Sequence, residues 1–235
     1  MRILFVLLIA LFTTKTAFTQ VKKNPHFFSL NAGASIPVGE YSNLDTALIS
    51  SANLGKYFGF EGALYVTRFL GFGINVGAYM NPVDEDDLIE RYTEQFTNSK
   101  NISINADEWL NGYAMAGMYL TIPIKKIRLD FKFLGGAVNS DKPLVEVDID
   151  ERGNQSVIIN KSTDAMAFGI NYGAHLRLPI VSKLYLRLNA ETFTSLPEFK
   201  SQTESIINNS SSITKRTVEQ TISVLNLGVG LTFSL

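Results

Sequence analysis

There is no cysteine in these 235 residues, which excludes disulfide staples, thiolate metal sites and a lipid anchor attached through a thiol. Histidine is nearly as scarce, at two, so imidazole metal clusters and histidine-based catalytic relays have little to draw on. Neither sign of charge dominates. Twenty-one basic against 22 acidic residues leave a net charge of −1, and with it no bulk electrostatic case for nucleic acid as a partner. No amphipathic helical run of any length follows residue 20, and no apolar stretch reaches the roughly 20 residues of a membrane-spanning helix.

What is present begins with MRILFVLLIALFTTKTAFTQ. It has a basic Arg2, an apolar core from Ile3 to Phe12, and a region of small residues ending in Ala17-Phe18-Thr19. That core is about half of a spanning helix, so the stretch reads as a secretory signal cleaved near Thr19/Gln20. The expected organisation is therefore a signal peptide, 1–19, and one exported domain, 20–235.

Beyond the signal the apolar period is two, in eight segments. In HFFSLNAGASIP, Phe28, Leu30, Ala32, Ala34 and Ile36 share a face. KYFGFEGALYVT sets Phe58, Phe60, Leu64 and Val66 against Tyr57, Glu61 and Tyr65. LGFGINVGAYM sets Leu70, Phe72, Ile74 and Val76 against Asn75, Tyr79 and three glycines. WLNGYAMAGMYLTI could present either face, and Leu110, Ala114, Ala116, Met118, Leu120 and Ile122 are placed outward. IRLDFKFLGG alternates Ile127, Leu129, Phe131 and Phe133 with Arg128, Asp130 and Lys132. AMAFGINYGAHLRL, LYLRLNAET and VLNLGVGLTFSL continue the pattern, with Asn171, His175, Arg177, Arg187, Glu191 and Asn226 on their polar faces. Each segment is close to the 9–11 residues of a strand tilted across a bilayer.

A soluble sheet also alternates, but its apolar face is a shared core. Here the apolar face carries almost no charge, as lipid contact demands, since a charge at the midplane costs about 2–4 kcal/mol. The polar face holds glycine and opposite charges that can compensate one another in a narrow lumen: Glu61, Arg128, Asp130, Lys132, His175, Arg177, Arg187 and Glu191. Connections after the second, fourth and sixth segments are short, and those after the first, third, fifth and seventh are long. These observations predict an all-β fold, an eight-stranded antiparallel up-and-down transmembrane β-barrel with tight periplasmic turns, longer extracellular loops and both termini in the periplasm. Closure removes the unpaired edges that lipid cannot satisfy.

The chain resembles the small outer-membrane protein β-barrel domain family of two-membrane bacteria, with its OmpA-type and PorT-like barrels. The resemblance lies in the signal peptide, in LNAGASIPVGEYSN as a first strand entering its loop, in FLGFGINVGAYM after a tight turn, and in the closing LNLGVGLTFSL. It covers essentially the whole exported chain. It implies residence in outer-membrane lipid and insertion by the barrel-assembly machinery. Members commonly finish on an aromatic residue, whereas this chain ends in Leu235 with Phe233 two positions earlier.

Eight strands enclose a lumen just wide enough for side chains, so the inward charges are expected to form a structural network and not an open pore. Function is expected in the long connections. The first runs from about Pro37 to Ala52. The second, Asn81 to Glu108, carries Asp84, Glu85, Asp86 and Asp87 at the start of a brief helix, where acidic residues suit the N-terminus. Their spacing lacks the glycine and closing glutamate of the helix–loop–helix calcium motif. The third, Ala137 to Asp164, reads as a hairpin around Arg152-Gly153-Asn154 that extends the barrel wall. The fourth, Ser195 to Glu219, is rich in Ser, Asn and Thr and reads as a mobile loop.

Neither His26, at the start of the first strand, nor His175 lies in a long loop, and no nucleophile elbow or phosphate loop is present. No catalytic, cofactor-binding or metal residue is therefore assigned. The leading expectation is a non-enzymatic outer-membrane barrel with a structural or surface-interaction role, its surface ligand unnamed. A component of an envelope transport or secretion assembly is a second. A soluble exported calyx of lipocalin type is a third; its opening Gly-x-Trp is absent, and it would put the apolar face inside.

Overall fold

The computed structural model describes residues 25–43, 51–96, 101–151, 154–207 and 210–235. The expected signal peptide lies outside the described residues, as do Arg152 and Gly153. In chain order the strands are β1 (Phe27–Pro37), β2 (Gly55–Tyr65), β3 (Leu70–Pro82), β4 (Asn101–Ala106), β5 (Glu108–Ile124), β6 (Ile127–Lys142), β7 (Val145–Glu151), β8 (Asn154–Asn160), β9 (Thr163–Val181), β10 (Leu184–Ser195), β11 (Glu198–Ile207), β12 (Ser210–Glu219) and β13 (Ile222–Ser234). An α-helix, α1 (Glu85–Gln95), stands between β3 and β4, and a single 3-10 turn, Gly39–Tyr41, follows β1.

Eight of these strands close into an antiparallel barrel in the order β1-β13-β10-β9-β6-β5-β3-β2. Closure is made by the first and last strands, where Phe27 faces Ser234 and Pro37 faces Val224. The faces follow the alternation. Leu186 and Leu188 are 37% and 41% exposed, while Arg187 between them is fully buried. Phe58, Phe60, Phe72, Ile74, Val76, Met118, Leu120, Phe133, Val229 and Leu231 are likewise exposed around the outside. The outward placement of Leu110, Met118, Leu120 and Ile122 on β5 agrees with the structure, where Asn111, Tyr113, Tyr119 and Thr121 are buried.

An unbroken belt of large apolar side chains is what hydrocarbon, and not water, can cover, because exposed apolar patches on soluble monomers rarely exceed a few hundred Å². The molecule is a membrane-spanning barrel. Its hairpins close at one end through short turns at residues 66–69, 125–126 and 182–183, with Lys125 at φ 56° in one of the two-residue turns. The other end carries the long connections.

That second end departs from the sequence reading in three ways. Barrel strands are expected at 9–11 residues, but β5, β6 and β9 run 17, 16 and 19, longer than a bilayer requires. The fourth connection is not a loop: Glu198–Ile207 and Ser210–Glu219 form the paired strands β11 and β12. The second connection contains β4 as well as its helix. These extra strands form a five-stranded distal sheet in the order β12-β11-β8-β7-β4. Cross-strand pairing explains why polar segments become strands: β11 finds a partner on each side, and a ladder satisfies every backbone group it includes.

The distal sheet is the barrel wall continued. Lys142 faces Thr163 within the barrel and Val145 faces Asn160 beyond it, in one unbroken register. Ser195 faces Ile222 and Glu198 faces Glu219 in the same way. Five strands rise past the point where β1, β2 and β3 stop, so the wall is open on that side. The expected hairpin of the third connection is present as β7 and β8.

Candidate functional site

The inward side chains form three layers. Nearest the short turns lies a layer of charge. Asp130 takes a fork from Arg177, whose Nε and Nη2 stand 2.6 and 2.7 Å from its two oxygens. Lys132 is 3.1 Å from Glu61 and also pairs with Glu191. Arg187 bridges the two groups, pairing with Glu61 and reaching 3.9 Å from Asp130. His175 lies 3.5 Å from Glu191 and 3.9 Å from Glu61, and contacts Arg187. The three carboxylates are thus matched by three cations, all buried.

Neutral groups complete the layer. Tyr119 donates to Glu61 at 3.2 Å, and Arg177 donates to the Tyr65 hydroxyl at 3.2 Å. The Phe27 ring lies under both guanidinium groups, 4.4 Å from Arg177 and 5.1 Å from Arg187. Seven of the eight inward charged or titratable residues expected from the sequence come together here. Arg128 does not: it sits half-buried at the short-turn end with its guanidinium 5.1 Å from the Tyr185 ring. Its place two residues below Asp130 on a tilted strand puts it past the carboxylates.

A second layer is aromatic, with Phe193 packed 5.1 Å from Tyr79 and 5.3 Å from Tyr113 and Leu134, Val138 and Met115 buried beside them. Glycine is abundant on the inner face because the lumen is crowded. A Cβ on Gly228 would meet the Ala32 carbonyl oxygen at 2.3 Å and the Tyr57 hydroxyl at 2.4 Å. Charged layer and aromatic layer together fill the lumen across the membrane, as an eight-stranded barrel allows.

The third layer lies within the distal sheet. Its inner face is divided. On β4 and β7 it is apolar, with Ile102, Ile104, Val145, Val147 and Ile149, and the helix α1 packs there through Leu88, Tyr92 and Phe96. At Asn160 of β8 and over the middle of β11 and β12 it is polar, presenting Asn160, Ser201, Thr203, Thr214 and Arg216, since Ser201 faces Arg216 and Thr203 faces both Thr214 and Asn160; Ile158, Phe199 and Val218 on the same face join the apolar cluster. The helix begins at Asp84, whose side chain accepts from the Asp87 N–H, so the acidic run caps the helix as expected. Beneath lie Tyr41 and Trp109, the latter 5.8 Å from Phe199.

Between α1 and the polar half of the wall remains a cavity of about 280 Å³, lined by Leu88, Arg91, Tyr92, Gln95, Asn160, Thr203, Thr214 and Arg216. Nothing in single-segment periodicity points to it, because its walls come from the second, third and fourth connections. The two histidines contribute nothing to it. His26 accepts from the Tyr65 N–H at the opposite end, 3.0 Å away, and His175 is in the charged layer.

No family model and no curated protein sequence matches the chain. Among solved structures it is similar to a major outer membrane protein from Thermus thermophilus, at 13% identity over 89% of this chain and 99% of that one, with a TM-score of 0.44. Neisserial surface protein A is similar at 11% identity over 89% and 97%, TM-score 0.41. The outer membrane protease OmpT of Escherichia coli is similar at 8% identity over 94% and 99%, TM-score 0.45. These proteins share the barrel outline and little sequence, and no residue role is carried over from them.

Proposed function

We propose that the chain is a non-catalytic integral protein of a bacterial outer membrane, with its distal sheet outside the cell as an interaction surface and both termini on the periplasmic side. The observation that carries this reading is the pairing of an apolar belt outside with a filled, charge-matched lumen inside. An apolar exterior requires lipid, and closed strands are the way a β-chain satisfies its backbone there. A soluble calyx needs the reverse, an apolar interior to take its ligand.

The lumen network is assigned a structural role. Its charges are matched and packed against one another, as a filled lumen requires. What projects beyond the bilayer is ordered wall, α1 and a cavity, and a built platform of this kind suits recognition. Insertion by the barrel-assembly machinery follows from the same reading.

The test is fractionation of cells producing the full-length protein, with the membrane fraction run on a gel with and without boiling. An outer-membrane band whose mobility shifts on boiling is expected. A soluble band that does not shift would sink the membrane assignment and return the search to an internal ligand.

A further inference from the structure

The cavity between α1 and the wall has a composition unlike the rest of the distal end. That end is acidic over α1 and β7, with Glu85, Asp86, Asp87, Glu90, Glu94, Glu146, Asp148 and Asp150. The cavity is lined by two arginines and, among the described residues, by no carboxylate. Arg91 reaches it from the helix and Arg216 from β12, so two elements far apart in sequence bring cations to one opening. The other lining groups, Gln95, Asn160, Thr203 and Thr214, are uncharged hydrogen-bonding side chains, and Tyr92 and Leu88 supply an apolar edge.

A second observation adds positive charge on the same inner side of the wall. Lys142 is fully buried, and its Nζ donates to Ser201 Oγ at 2.9 Å. Ser201 is the cross-strand partner of Arg216, so this ammonium group lies next to the cavity's own arginine. Among the described residues no carboxylate stands within ion-pair distance of Lys142. Burial pushes this lysine down to about 8, and the Arg216 charge adds to the effect. A buried cation without a counter-charge is costly, and an anion held at Arg216, the cross-strand partner of Ser201, would bring negative charge close to Lys142.

We propose that this cavity binds an anionic group, a carboxylate, sulfate or phosphate, carried on a small hydroxyl-rich molecule of the acidic-sugar type, with Arg91 and Arg216 as its principal holders. Arginine presents a planar fork that matches such anions with two parallel hydrogen bonds. Thr214 and Gln95 then suit the hydroxyls of the remainder, Thr203 and Asn160 are fixed beside them by their own 2.7 Å hydrogen bond, and the Tyr92 ring suits a sugar's apolar face. The acidic surround keeps multiply charged polyanions at a distance while the cavity accepts a single charge. This inference deepens the surface-interaction reading and rests on it for the ligand's source, but the cavity chemistry is testable by itself.

The experiment is calorimetric titration of the full-length protein, folded in detergent and heat-modifiable, with glucuronate, glycerol 3-phosphate and neutral glucose. Saturable binding of glucuronate and none of glucose is expected. Arg91→Ala and Arg216→Ala should each weaken binding about tenfold or more, with Arg216→Lys in between. Binding of glycerol 3-phosphate without glucuronate would keep the anion site and overturn the sugar assignment in favour of a phosphorylated headgroup. Failure of both anions to saturate, or wild-type affinity in an Arg216→Ala protein that keeps its gel shift, would overturn the site. Labelling of Gln95→Cys on intact cells by a membrane-impermeant maleimide tests the surface reading separately. Full binding in detergent with no labelling on cells would sink that reading and leave the cavity standing.

Discussion

At the scale of single residues, Arg187 carries the most consequence. It pairs with Glu61 and lies within reach of Asp130, and all three are buried. A matched buried pair adds little net stability because desolvation offsets attraction, but removing one partner strands the other. Arg187→Ala is therefore expected to cost about 3–5 kcal/mol, read from the urea midpoint of the barrel refolded in lipid vesicles. Lys142, beyond the membrane, responds to pH. It is pushed down to about 8 from an ordinary value of 10.5. Between those values the unfolded chain takes up a proton that the fold refuses, so the lysine's penalty grows as pH falls from 10.5 and is complete below about 8. The stability advantage of Lys142→Met over wild type should accordingly shrink as pH rises from 8 to 10.5. The difference is the useful quantity, because buried tyrosines such as Tyr41, raised by burial, titrate alike in both proteins.

At the scale of elements, the distal hairpin and the barrel hairpins obey different demands. The β10 and β13 strands pair with each other from Leu184–Phe233 to Ser195–Ile222, all within the barrel, whereas β11 and β12 pair with each other and β11 also pairs with β8. The barrel's closure therefore does not pass through β11 and β12. Replacing residues 198–219 with a short turn is expected to preserve the boiling-dependent gel shift while abolishing anion binding, since Thr203, Thr214 and Arg216 leave with the hairpin. Loss of the shift would mean that Phe199 and Val218, buried against the rest, are needed for closure. These strands were hard to read in the sequence for a physical reason. SSSITKRTVE has an exposed side chain at nearly every position, so no alternation of burial is written into it, and only its partner makes it a strand.

At the scale of the whole molecule, the lumen decides what can cross. Charges in one layer and aromatic side chains in the next occupy the space that eight strands enclose. Purified protein in planar bilayers is expected to give no stepwise ion current; reproducible unit conductance would mean that the two layers part under voltage. The open side of the distal wall, above β1, β2 and β3, leaves the platform accessible laterally as well as from above.

The sequence by itself determined the barrel. A period of two with a charge-free face specifies which solvent each side meets, and the alternation of short and long connections separates a tight-turn end from a long-connection end, so strand number, faces and most of the inward charged layer were all legible. Strand length beyond the membrane was not, because outside lipid a strand needs a neighbour and not an apolar face. Nor was the exclusion of Arg128 from the network, which depends on the tilt of β6. The cavity between α1 and β12 was decided by tertiary structure alone: Arg91 and Arg216 are brought together by the register of a wall whose strands come from three separate connections, and no local pattern encodes a meeting of that kind.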